Sequence, residues 1–288
     1  MPTDSPQPLR ADAVPVSPAA TVMLLRDGDG GLEVFMMKRT GNAAFARNNY
    51  VFPGGRVDDA DHGDAFEPVC DRLDDRDASA RLGLDHGGLA WLVAAVREVF
   101  EEAGVLLARP AGGGDVIALD DPEVAERYNV ARHRIHDGEL SLADFCTAEG
   151  LLLQVDQIHL VDHWVTPLGE RRRFDTRFFV GAAPPAQHPL HDDKELVASI
   201  WVGPADALQM WSDGEIQMFP PTVATLKWLA EYATVDAAMD AAQAVGIPPI
   251  VEPRIVTDPD GRVVGVKRPG DDGFEDVPLP EYVIAHPR

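Results

Sequence analysis

Arg97-Glu98-Val99-Phe100-Glu101-Glu102-Ala103-Gly104-Val105 is the stretch on which the reading of this 288-residue chain turns. At about 3.6 residues per helical turn, Glu98, Glu101 and Glu102 stand at i, i+3 and i+4, so three carboxylates share one face. Like charges at that spacing repel, and only Arg97 lies close enough in sequence to offset them. A hard divalent cation resolves the conflict, because Mg²⁺ or Mn²⁺ takes carboxylate oxygens and leaves positions for water or phosphate oxygens. Upstream, Leu89, Leu92, Val93 and Val96 join Val99, Phe100 and Ala103 in an apolar stripe that predicts a helix from near Gly88. Gly104 then ends it as a C′ glycine. Burial of the stripe is expected to turn the carboxylates outward, and Trp91 and Phe100 read as core.

These nine residues fill every specified position in the second half of the Nudix signature, and the chain resembles that family. The glycine opening the signature is assigned to Gly55 of Phe52-Pro53-Gly54-Gly55, after the strand-like Tyr50-Val51. Gly55 lies 42 positions before Arg97, which implies an insertion inside the box. Gly83 stands at the compact spacing, but it follows no strand and Leu89 would then occupy the glutamate position. A long gap is shared with the extended Nudix hydrolases, whose mammalian members are peroxisomal coenzyme A diphosphatases. Further similarity lies in Arg97 to Leu107, in Trp164-Val165-Thr166-Pro167 followed by Arg172 to Phe179, and in Glu195-Leu196 through Trp201. The resemblance runs over roughly residues 19 to 232.

It implies an α/β Nudix fold: a mixed β-sheet sandwiched between helices, with an insertion inside the box and a C-terminal hairpin extension. The expected organisation is a disordered lead over 1–18, a Nudix hydrolase domain over 19–245 with the insertion at 56–87, and an extension over 246–288. Five prolines in the first eighteen residues, without a basic-then-apolar pattern, read as a lead-in and not as a signal peptide. Two cysteines outside any metal spacing make no disulfide framework. No apolar run approaches the ~20 residues a membrane helix needs. A cytoplasmic location is expected, and His286-Pro287-Arg288 does not resemble a peroxisomal address. A net charge of −23 argues against nucleic-acid partners, which require a basic surface.

Along the chain, Thr21–Leu25 and Leu32–Met37 read as strands about the Asp27–Gly31 turn. The insertion carries nine acidic residues between Asp58 and Asp77. A short helix is expected in it near Glu67 to Leu73, and the segment is either a solvated excursion or a lid. Helices are expected over Asp121–Arg134, capped by Asp121, and over Leu142–Leu153. Strands follow at Val161–Pro167, Phe174–Val180 and Val197–Val202, then helices from Pro204 and Pro220. Asp258-Pro259-Asp260-Gly261 marks a turn between Arg254–Val256 and Val263–Val266. That hairpin covers either its own chain or a partner subunit, so a homodimer is possible.

By the resemblance, the substrate is a nucleoside diphosphate linked to a second moiety, a small molecule whose diphosphate is attacked by water. Glu98, Glu101 and Glu102 are the implied ligands of Mg²⁺ or Mn²⁺, with Arg97 orienting a glutamate. Gly54 and Gly55 let backbone approach the helix without a Cβ in the way. Arg39, Arg173 and Arg177 are expected on the substrate, although Arg171 to Arg177 read equally well as a charged strand edge. The general base is a signature glutamate or Glu195. Asp61 occupies the spacing of the missing box glutamate, which leaves the number of metals open. His133 with His136, or His159 with His163, makes a weak zinc pair without a third ligand.

Coenzyme A or an acyl-CoA is the favoured substrate, giving 3′,5′-ADP and a 4′-phosphopantetheine compound. Asn48 and Ala44 stand where a coenzyme A motif upstream of Phe52 carries glycine and arginine. ADP-ribose, NADH and nucleotide sugars therefore stay open, as does a non-catalytic binding module, against which the intact glutamates argue.

Overall fold

The computed structural model describes residues 9–39, 49–187 and 196–284. Two compact units emerge. The larger comprises Ala19–Asp162 and Arg177–Pro248, and the smaller takes residues up to Pro18, His163–Thr176 and residues from Pro249.

Strands β1 (Val16–Gly28) and β2 (Gly31–Arg39) pair antiparallel with Leu25 opposite Val34 and Gly28 opposite Gly31. Two short strands follow, β3 (Tyr50–Val51) on β2 and β4 (Gly54–Arg56) on β1. Helix α1 (Asp75–Leu82) and the signature helix α2 (Gly88–Ala103) come next, then β5 (Ala108–Pro110), α3 (Pro122–His136), α4 (Leu142–Glu149) and β6 (Leu151–Leu153), which pairs with β5. β7 (His159–Val165), β8 (Arg173–Ala182) and β9 (Leu196–Val202) complete the main strands, with β9 antiparallel to β2. Helices α5 (Pro204–Ser212), α6 (Pro220–Leu229) and α7 (Val235–Val245) close the larger unit.

Alternation along β1 and β2 places this sheet between two layers. Ala20, Val22, Leu24, Phe35 and Met37 belong to the core that surrounds α2, whereas the intervening Met23, Leu25, Val34 and Met36 are equally buried outside that cluster. Side chains of period 2 buried on both faces require cover on both. α2 lies over one side, and α5 contacts β2 while Leu226 and Leu229 of α6 are fully buried. The expected α/β sandwich with a mixed sheet is what forms.

The insertion departs from expectation. Its main helix is α1, with only a 3-10 turn at Glu67–Val69 where a helix was expected. Asp74 caps α1 by accepting from the Asp77 N–H at 2.8 Å, and Gly83 at φ 66 ends it. Val57, Phe66, Val69, Leu73, Ala78 and Leu82 all enter the core around α2, so the segment is not a solvated excursion. The helix expected over Leu142–Leu153 stops at Gly150, whose φ of 63 turns the chain, and Leu151–Leu153 becomes β6.

In the smaller unit, β10 (Ile250–Val251) runs parallel to β7 at His163 and Trp164. β11 (Arg254–Thr257) and β12 (Val263–Lys267) form the C-terminal hairpin. Within the extension, Arg254 donates to the carbonyls of Phe274, Glu275 and Val277. Residues 9–18 correct the expectation of a disordered lead. Ala11 is fully buried in a 3-10 turn and its N–H donates to Glu281 O at 2.9 Å. The partner lies 270 positions downstream, which local composition cannot reveal.

Candidate functional site

α2 begins without a side-chain cap of its own. α1 supplies one instead. Asp75 accepts from the N–H groups of Gly87 and Leu89 at 2.9 and 3.0 Å, and Ser79 Oγ from Gly88 N–H at 2.9 Å. Gly88 is required there, because a Cβ would stand 2.4 Å from the Ser79 backbone nitrogen. Burial raises the Asp75 carboxyl, but the two backbone donors outweigh it and hold the group below the usual carboxylate range.

About two and a half turns further on, Arg97 organises the acidic residues. Its Nε and Nη2 donate to the two oxygens of Asp61 at 2.9 and 3.0 Å, a bidentate fork. Its Nη1 donates to Glu98 Oε1 at 2.9 Å and Glu101 Oε1 at 3.1 Å, and Nη2 also reaches Arg56 O at 2.9 Å. Glu102 faces β4, accepting from the Gly54 N–H at 2.8 Å. His136, in the last turn of α3, places Nδ1 3.2 Å from Glu101 Oε2. Gly55 leaves Glu98 its room, since a Cβ would stand 2.4 Å from Oε1.

The expected outward-facing carboxylates are therefore not found. Asp61, Arg97, Glu98 and Glu101 are all buried and only Glu102 is half-buried. The stripe argument assumed one buried side. Here the sheet, the insertion and α3 enclose α2 together, so nearly all of its sixteen residues are buried.

Burial pushes the Glu98 carboxyl up to about 7; Arg97 opposes the shift, while Glu101 and Asp61 add to it. Arg97 is disfavoured by the same burial, yet Asp61, Glu98 and Glu101 raise its pKa further. Asp61, Glu98 and Glu101 surround Arg97, with His136 and Glu102 alongside, so carboxylates outnumber basic groups in a largely buried site. Such a hard-oxygen donor set fits Mg²⁺ or Mn²⁺ in type and in charge. Among the described residues no three His, Cys, Asp or Glu stand as a ready ligand group, and Glu98 and Glu101 are both engaged by Arg97.

Other expected residues lie as follows. Arg177 is buried in the larger unit with its guanidinium 4.0 Å over the Trp91 ring of α2. Arg173, in the smaller unit, donates to Thr166 O at 3.0 Å and pairs with Glu252. Glu195 and the Arg39 side chain lie outside the described residues. Sequence reasoning undervalued two groups. The sequence marks Asp61 by its spacing alone. His136 was weighed only as half of a zinc pair, for nothing in the sequence joins the end of α3 to Glu101.

A profile of the NUDT19 Nudix domain matches residues 74–229. The chain belongs to the NUDT19 Nudix family. Within that family it is 29% identical over 241 residues to the acyl-coenzyme A diphosphatase NUDT19 of Homo sapiens, covering 71% of this chain and 62% of that protein. The Gallus gallus acyl-coenzyme A diphosphatase NUDT19 is 26% identical over 244 residues, with the same coverage of each chain. This Nudix chain thus spans about three-fifths of the length of those relatives. Among solved structures, a NUDIX hydrolase from Alicyclobacillus acidocaldarius superposes with a TM-score of 0.63 at 27% identity, over 79% of this chain and 97% of that one. The resemblance read from Arg97 to Val105 is borne out. No helix among the described residues is long and apolar enough to cross a membrane.

Proposed function

We propose that this Nudix chain is a Mg²⁺- or Mn²⁺-dependent diphosphatase that cleaves coenzyme A or an acyl-CoA into 3′,5′-ADP and a 4′-phosphopantetheine compound. The observation that carries the reading is the buried cluster of Asp61, Glu98 and Glu101 around one guanidinium, with Glu102 beside it on the Gly54 N–H. Stability alone gives no reason to keep four carboxylates there, since buried charge is costly unless neutralised. The names of the Homo sapiens and Gallus gallus relatives support the choice of substrate.

In this proposal Glu98, Glu101 and Glu102 would hold the metal, which supplies charge neutralisation of the diphosphate and a more acidic water. The protein's own residues set the stage. Arg97, anchored by the Asp61 fork, fixes Glu98 and Glu101 on one side of α2. The Gly54 N–H holds Glu102 toward β4, and Gly55 keeps the strand close without a side chain in the way. Glu195 is proposed to take the proton of the attacking water. Residues 19–245 are proposed to carry the activity.

The test is product analysis with coenzyme A, NADH and ADP-ribose in Mg²⁺ or Mn²⁺ buffer. Release of 3′,5′-ADP from coenzyme A, absent when the metal is chelated, is the expected result. Faster cleavage of NADH or ADP-ribose would move the substrate assignment to those compounds, and no cleavage of any would overturn the diphosphatase reading.

A further inference from the structure

Within the larger unit, α3 is fixed against α2 by a run of rings. Phe100 of α2 stacks on Phe145 of α4 with centroids 6.1 Å apart, and Tyr128 of α3 meets the same ring edge-on at 5.1 Å. The buried residues of α3 are Tyr128, Ala131, Arg132 and Ile135, at i, i+3, i+4 and i+7, so one face sets the rotation of the helix. His136 follows Ile135 on the flank of that face, with its side chain 33% exposed. Glu101 follows Phe100 in the same way on α2. Packing of the rings thus delivers the imidazole to the carboxylate, and Nδ1 stands 3.2 Å from Glu101 Oε2.

That contact completes the restraint of Glu101. Arg97 Nη1 donates to Glu101 Oε1 at 3.1 Å, and the same nitrogen donates to Glu98 Oε1 at 2.9 Å. A single bond at Oε1 leaves the carboxylate free to turn about its terminal torsion, whose minima are broad. A second donor on Oε2 stops that rotation. An ionised carboxylate only accepts, so Nδ1 carries the hydrogen whether the ring is neutral or charged. The two bonds occupy two of its roughly four lone-pair sites and give the rest a fixed direction.

Two plainer roles compete with a functional one. A basic ring in the last turn of a helix is favourable toward the carbonyl end, and beside a buried carboxylate it offsets charge. The first role is already filled by His133 and Arg134, which share that turn. The second needs a nearby basic group but not a donor on one particular oxygen. We infer that His136 is a positioning residue of the acidic centre: its Nδ1–H, opposed to Arg97 across the Glu101 carboxylate, fixes the orientation in which Glu101 meets a divalent cation. The inference rests on the proposed metal-dependent function, in which Glu101 is a ligand, and it names the outer hydrogen-bond partner by which such a ligand is oriented.

Two substitutions separate these roles. His136→Asn places an amide N–H where Nδ1 stands but carries no charge, and His136→Leu keeps bulk without a donor. Wild type, both variants and Glu98→Gln are titrated as full chains with Mn²⁺, followed by the electron paramagnetic resonance signal of the free ion, and Tm of each metal-free chain is read alongside. The relevant Mn²⁺ site is the one that Glu98→Gln removes. His136→Leu is expected to weaken that site about tenfold or more with Tm within a few degrees of wild type, as loss of an outer partner does, while His136→Asn stays within about threefold of wild type. Equal weakening by both variants would assign the effect to charge, and unchanged affinity with a fall in Tm would assign it to packing; either overturns the positioning role. Should His136→Leu fail to fold, His136→Ala takes its place at this partly exposed position. If wild type holds no Glu98-dependent Mn²⁺, the metal reading and this inference fall together. If wild type and both His136 variants hold it equally, the inference falls alone.

Discussion

Single atoms separate two adjacent glycines. A Cβ on Gly55 would stand 2.4 Å from Glu98 Oε1, the far end of a flexible side chain that can swing away. A Cβ on Gly54 would stand 2.5 Å from Ala20 O and 2.7 Å from Thr21 Cα, which are backbone atoms of β1 and cannot. Gly55→Ala is therefore expected to fold with a Tm within a few degrees of wild type but to lose most turnover. Gly54→Ala should lose stability itself, by about 1–3 kcal/mol as overpacked sites do. Denaturant titration together with turnover distinguishes them, and the opposite pattern would mean that Glu98 has no part in the reaction. Glu101→Gln keeps the shape and both side-chain positions while deleting a charge. Turnover is expected to fall on the order of 10²-fold or more, as for loss of a metal or acid–base group, with an unchanged circular dichroism spectrum. Retained activity would remove Glu101 from the site.

Among elements, the junction of α1 and α2 shows what the sequence displayed and what it withheld. The extent of α2 was legible because an apolar repeat of helical period runs from Leu89 and a glycine follows Ala103; the helix observed is Gly88–Ala103. α1 was misplaced because Asp74-Asp75-Arg76-Asp77 read as part of an acidic run, whereas Asp74 is a cap and Asp75 reaches fourteen positions ahead to Leu89. Leu151–Leu153 was assigned to a helix since three leucines suit either element, and only the φ of 63 at Gly150 decides against it. α7 went unread, its alanine-rich repeat giving little amphipathic contrast beyond the Thr234 cap. The acidic cluster itself was legible as spacing, but its burial was not, because that comes from segments distant in sequence. The α1–α2 junction also fixes a pH dependence. The Asp75 pKa is lowered in the folded chain, so its contribution is fully present above the unfolded value of about 3.9. It is lost as the pH falls through the folded value. Asp75→Asn should cost about 1 kcal/mol at pH 7, the usual worth of a cap, with the gap from wild type closing below pH 4. Urea titrations at pH 7 and pH 3 measure it, and a gap that widens in acid would contradict the assignment.

At the scale of the whole molecule, the insertion decides whether the extended box is an ornament on a compact enzyme or part of its interior. Val57, Phe66, Val69, Leu73, Ala78 and Leu82 are buried against α2, and each such side chain is worth about 1.5–3 kcal/mol on leaving water. Their combined loss, roughly 7–15 kcal/mol for the five larger side chains, is comparable to the whole margin of roughly 5–15 kcal/mol by which a folded domain is stable. Removal would also strip α2 of its Asp75 and Ser79 caps and leave Arg97 without the Asp61 fork. Arg97 would keep Glu98 and Glu101 but lose its bidentate carboxylate partner. A variant joining Arg56 to Gly87 through a short glycine linker, although it restores something near a compact box, is thus expected to show no cooperative thermal transition. Scanning calorimetry of that variant beside wild type reads the outcome directly. A sharp transition within a few degrees of wild type would mean that α2 can be enclosed without this segment, and the long gap would then have to be explained by something other than the core it builds.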